Sequence, residues 1–111
     1  VVRILADRLG ATPVQIAGNR DGEAGRVGIV CGSGGDLVAE VAATGCDTLV
    51  TGELKLHHAC EARAAGMAVI AVGHHASEHF SLAAPGARLL AEAPGLALVA
   101  SARDRYPITL L

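Results

Sequence analysis

Three apolar runs of strand length, Arg26–Cys31 (RVGIVC), Asp47–Thr51 (DTLVT) and Met67–Val72 (MAVIAV), are each followed by a glycine-bearing turn and then a helical stretch. Strands and helices that alternate with short connections build a parallel or mixed sheet covered by helices. Strands buried on both faces read as continuous apolar runs, and these do. The expected fold class is α/β, with a parallel or mixed sheet flanked by helices in a single three-layer-type domain.

The remaining segments fit around that sheet. Val2, Leu5 and Leu9 form a helical stripe over Val1–Leu9, which Gly10 closes. Pro13–Ala17 reads as a short strand and Gly18–Gly25 (GNRDGEAG) as a polar turn. Helices are expected over Asp36–Thr44 and over Glu53–Ala65, the latter ended by Gly66. Gly73 leads into a helical stretch containing Ala76–Ala91, with a break expected near Pro85 and Gly86. Leu96–Ala100 (LALVA) reads as a last strand, and the tail Ser101–Leu111 as an edge strand.

The chain has 111 residues, enough for one domain. Aromatics make up 2% against 51% hydrophobic residues, so Val, Leu, Ile and Ala must build the core. The formal net charge is −2 with no basic cluster, which argues against nucleic acid as a partner. No apolar run approaches the ~20 residues of a membrane span. Cys31, Cys46 and Cys60 are odd in number and lack CxxC spacing. They read as free thiols, with a cytoplasmic location expected.

Chemistry gathers after the strands. The first run leads into Gly32-Ser33-Gly34-Gly35. The second leads into Thr51-Gly52-Glu53, then Lys55, His57 and His58. The third leads into Gly73-His74-His75-Ala76-Ser77-Glu78-His79. All five histidines fall in the last two segments. Open α/β sheets bind ligands beyond the carboxyl ends of their strands, and parallel strands would bring these segments to one rim.

Each residue also has a plainer reading. His74 and Glu78 are four apart and share a helix face, as metal ligands or as an ordinary ion pair. His57/Glu61 and His75/His79 have the same spacing. Two ligands fall short of the three or more that a stable site takes. The Gly32-Ser33-Gly34 turn offers backbone amides to an anion. It equally suits a tight turn capped by Ser33 or Asp36, and it is neither a P-loop nor G-x-G-x-x-G. Cys31 precedes a helix start, yet nothing pairs it with a base, so a buried or half-buried structural thiol is expected. Glu53 could be a ligand or general base, or a carboxylate placed by a helix dipole.

RVGIVCGSGGDLV, DTLVTGELKLHHA and IAVGHHASEHF, in this order and spacing, resemble the carboxyl-terminal half of the NIF-three-like family. These are dinuclear-metal-centre, hexameric proteins named as homologues of type-two GTP cyclohydrolase I. The resemblance covers residues 1–111 and implies two divalent metal ions of the zinc, iron or manganese class in the full-length protein. It also implies a ring-shaped homo-hexamer and a small-molecule substrate. In the family's G-H-x-x-x-E motif, His74 and Glu78 match metal ligands. Thr51, Gly52, Glu53, Lys55 and His57 match a pocket-lining motif, which makes Glu53 and His57 candidates for catalysis. Gly32, Ser33 and Gly34 match the family's Gly-Ser-Gly turn. The other ligands, a His-His pair and an acidic residue, belong to an amino-terminal half not represented in this chain. His75 stands where the family commonly has an aromatic residue.

Three functions compete on this evidence. The first is the metal-binding half of a metal-dependent hydrolase acting on GTP or a related small molecule. The second is a non-catalytic assembly module. The third is a phosphate- or nucleotide-binding domain using the glycine turn, whose binding would survive chelators.

Overall fold

The structure is a computed structural model that describes residues 1–10 and 13–108. It divides into two compact units, Val1–Phe80 and Ser81–Leu111. In the first, helix α1 (Val2–Leu9) ends at Gly10, whose left-handed backbone (φ 60) closes the last turn with an N–H to Ala6 O. Strand β1 (Gln15–Ala17) and strand β2 (Val27–Val30) follow. A 3-10 turn (Gly34–Leu37) and helix α2 (Val38–Ala43) lead to strand β3 (Thr48–Thr51). Helix α3 (Leu56–Ala64), strand β4 (Ala68–Ala71) and helix α4 (His74–His79) complete this unit.

The four strands are ordered β1-β4-β3-β2. β2, β3 and β4 run parallel, while β1 lies antiparallel to β4, so the sheet is mixed as the strand–helix alternation implies. Alternate residues of β3 and β4 enter opposite cores. Leu49 and Val69 pack with Val38 of α2, Ala62 of α3 and Met67 on one face. Val50, Ile70 and Val72 face the other side, against Val2, Leu5 and Leu9 of α1. Fully burying each Leu or Val is worth about 1.5–3 kcal/mol.

The expectation of burial on both faces holds for β3 and β4 but not for β2, where Ile29 is 71% and Val27 37% exposed. β2 is an edge strand, and its contribution to the α2 side comes from Gly28 and Val30. Gly28 lets α2 close in, since a Cβ there would stand 2.7 Å from Val41 Cγ1. Ile29 instead faces an apolar groove of about 410 Å³ lined also by Ile4, Leu5, Leu9 and Phe80.

Three further boundaries differ from expectation. The segment after Gly73 is helical from His74, as expected, but it breaks into a 3-10 turn at Phe80–Leu82 rather than near Pro85 and Gly86. Pro85 sits in the first turn of helix α5 (Ala83–Glu92), where its missing N–H has no intrahelical partner to lose. Leu96–Ala100 has no regular secondary structure and, among the described residues, pairs with no strand; Leu98 instead rests on Gly86 of α5, 3.4 Å from where a Cβ would be. Residues 101–108 of the expected edge strand are turn and coil, and residues 109–111 lie outside the described set. Cys31, expected to be buried or half-buried, is exposed at the end of the edge strand; it, Cys46 and Cys60 are all free. Among the described residues, no helix is long and apolar enough to cross a membrane.

Candidate metal site at the strand ends

Parallel pairing sets Val30 beside Thr51 and Thr51 beside Ala71, so β2, β3 and β4 end level. Backbone bonds carry the alignment past the strands. Gly52 N and Glu53 N both donate to Gly32 O (2.9 and 3.0 Å), and Gly73 N donates to Gly52 O (2.9 Å). Two buried hydroxyls sew the loops together. Thr51 Oγ1 donates to Gly32 O at 3.2 Å and accepts from Gly34 N at 3.0 Å. Ser77 Oγ donates to His74 O at 2.7 Å and accepts from Gly32 N at 2.9 Å. Sequence reasoning gave Ser77 no role; its only signal is a hydroxyl inside the H-x-x-x-E interval.

These bonds bear on the glycine turn. The amides of Gly32 and Gly34 are occupied by hydroxyls within the protein. Ser33 stands at the N-cap of the 3-10 turn without capping it, because its hydroxyl donates to Glu53 Oε2 at 2.8 Å. Gly32 to Gly34 therefore act here as a tight strand-to-helix turn.

Glu53 was expected at a helix start. Helix α3 begins only at Leu56, after an extended Lys55 (φ −87, ψ 160), which leaves Glu53 in the loop. From there Glu53 Oε1 lies 3.1 Å from His74 Nδ1, and Glu78 Oε1 lies 3.3 Å from His74 Nε2. The imidazole is held between two carboxylates, one on each nitrogen. The hydrogen bond with Glu53 raises the His74 pKa above its ordinary 6.5, with further help from the charge of Glu78. The Ser33 hydroxyl, and after it His74, lower the Glu53 pKa below its ordinary 4.5.

Gly32 completes the arrangement. A Cβ on it would stand 2.5 Å from Glu78 Oε1 and 3.3 Å from His74 Nε2, and its backbone is left-handed (φ 67). A glycine here leaves open the space beside both donor atoms. One imidazole nitrogen and one carboxylate oxygen, with the far nitrogen anchored by a carboxylate, form a donor set suited to zinc, iron or manganese. The residues present fit such an ion.

His57 falls in a different group. It sits beside His58, ring centroids 4.0 Å apart, and His58 Nε2 lies 2.8 Å from Asp36 Oδ1. Among the described residues no hydrogen bond or ion pair joins His57 to Glu53 or His74. His75 and His79 stack at 4.8 Å on α4.

Residues 1–107 match the family described as Duf34/NIF3 (NGG1p interacting factor 3). The chain belongs to the Duf34/NIF3 family. A Halobacterium salinarum relative named GTP cyclohydrolase 1 type 2 homolog is 46% identical over 71 residues, 62% of this chain and 27% of its own length. A Deinococcus radiodurans relative of the same name is 42% identical over 64 residues, 58% of this chain and 24% of that protein. The chain thus spans about a quarter of the length of the curated relatives it matches. A Thermus thermophilus crystal structure is similar with a TM-score of 0.67 and 33% identity, over 82% of this chain and 36% of that one. A Staphylococcus aureus structure matches with a TM-score of 0.81 over 99% of this chain and 37% of its own; at 21% identity it supports the fold alone.

Proposed function

We propose that this chain is the carboxyl-terminal, metal-binding half of a dinuclear-metal protein, in which His74 and Glu78 ligate a divalent ion of the zinc, iron or manganese class. The observation that carries this reading is the pair of donors, His74 Nε2 and Glu78 Oε1, 3.3 Å apart beside a glycine that leaves their flank open. A divalent pair of this kind, when bound, supplies Lewis-acid polarisation and acidified water. Glu53 orients His74 through Nδ1, and Ser33 orients Glu53. Two ligands do not make a stable site. The remainder comes from the portion of the protein that corresponds to the rest of the relatives' length, and the site closes between the two portions.

The relatives' name supports GTP or a related heterocycle as the substrate of the whole protein, acted on in a metal-dependent hydrolytic step. In that reaction Glu53, lying in a loop with its carboxylate partly exposed, can also carry a proton. Assembly into a ring of like chains follows from the same family reading, with a cytoplasmic location. A non-catalytic assembly role is the second reading, favoured by the incomplete ligand set within this chain.

The test is metal content and GTP turnover of the complete protein, with His74→Ala and Glu78→Ala variants. Loss of both metal and turnover in each variant, and loss of turnover on chelation, supports the hydrolase. Metal binding without turnover of GTP or its analogues favours the assembly role. Full metal content in both variants removes His74 and Glu78 from the ligand set.

A further inference from the structure

On the α2/α3 face of the sheet lies a second group of donors. Asp36, His57 and His58 each place one ligand atom within 4.8 Å of the others. Asp36 belongs to the 3-10 turn after β2, and the histidines to the first turn of α3 after β3. Neighbouring residues on a helix point roughly 100° apart, so adjacent histidines ordinarily diverge. Here the two rings meet at 4.0 Å with an interplanar angle of 61°.

His58 is the fixed member. It is 5% exposed, and it packs against Gly35, where any Cβ would collide with its ring. Its Nδ1 is buried without a hydrogen-bond partner. The polar capacity of the ring is thereby directed through Nε2, which lies 2.8 Å from Asp36 Oδ1. Asp36 and His57 are exposed, so the group has a rigid buried wall and an open mouth.

We propose that Asp36, His57 and His58 form a divalent transition-metal site separate from His74 and Glu78. Two imidazoles and one carboxylate select zinc and its neighbours over magnesium or calcium, which take all-oxygen sets. Three protein ligands with a solvent-facing fourth position describe an open site rather than a closed structural one. A bound ion ties the connection after β2 to the start of α3. The competing account is a plain His58–Asp36 hydrogen bond that holds the 3-10 turn, with His57 a bystander.

The experiment titrates cobalt(II), then zinc, into the chain and into a His74→Ala/Glu78→Ala double variant, following cobalt visible absorption. It repeats this in His57→Ala and Asp36→Asn, whose exposed side chains leave the core intact, with circular dichroism as the check on folding. The expected result is binding that survives the double variant and weakens more than roughly tenfold in both single variants, since even groups that only support a ligand cost that much. Histidine ring signals in the parent chain give a readout that needs no variant: those of His57 and His58 should both move on adding zinc. Binding that disappears with His74 and Glu78, or unchanged affinity in His57→Ala, or zinc that leaves the His57 ring signals in place, overturns the proposal.

Discussion

Glu53 holds the Nδ1 edge of His74 at 3.1 Å, on the opposite side of the ring from Glu78. Because this bond is the main cause of the raised His74 pKa, Glu53→Gln should bring the titration of His74 back down toward 6.5. Ser33→Ala should do so in part by freeing Glu53. Histidine NMR across a pH series reads both. The sign for stability follows from the raised value. The contribution is fully present below the ordinary 6.5 and is lost as pH rises through the higher folded value.

Gly32→Ala tests the open flank. The new Cβ strains a left-handed backbone and presses on Glu78 Oε1 and His74 Nε2. Left-handed backbone at a non-glycine residue costs roughly 1–2 kcal/mol, which urea unfolding would show. Metal affinity of the complete protein should fall by a larger factor than stability alone predicts, because the donors are pushed from where an ion sits. Unchanged affinity would show that the cradle is not the ion's position.

Asp47 gives an acid-range prediction away from the site. Its carboxylate accepts N–H bonds from Arg26 (2.9 Å) and Gly25 (3.1 Å) and the Thr48 hydroxyl bond (2.8 Å). The Arg26 amide is the largest cause of a pKa lowered from 3.8, followed by Thr48 and Gly25. Stability from this group is present above 3.8 and lost as pH falls through the lower folded value. Asp47→Asn should lower Tm at neutral pH, and the gap to the parent chain should close as pH drops below 3.8.

The two strands β2 and β3 should respond very unequally to truncation. Leu49→Ala empties a fully buried position and should cost about 2–5 kcal/mol. Ile29→Ala, at a residue 71% exposed, should cost well under 1 kcal/mol in the isolated chain. Denaturant melts of the two variants check both. A large loss for Ile29→Ala would show that the edge strand is covered in solution.

Local pattern carried much of this architecture. Continuous apolar runs marked β3 and β4 because a strand between two helical layers has apolar contacts on both sides, and the same kind of run marked β2 although one of its faces is exposed. Gly10 marked the end of α1 because a left-handed closing residue favours glycine. The rim was legible too, since parallel strands force the segments after Cys31, Thr51 and Val72 to one edge.

Only the tertiary structure decided which polar groups meet there. Spacing put Glu53 at a helix start, yet α3 begins three residues later and leaves Glu53 free to reach Ser33 and His74. Spacing also could not separate His57 from His74, because distance along the chain says nothing about which side of a sheet a loop descends. Leu96–Ala100 has the composition of a strand but, among the described residues, pairs with none, and a strand is made by its ladder rather than its side chains. Residue types and their order set the fold class and the rim of this protein. The pairing of His74 with Glu53 and of His58 with Asp36 comes from loops 20 or more residues apart, which only packing brings together.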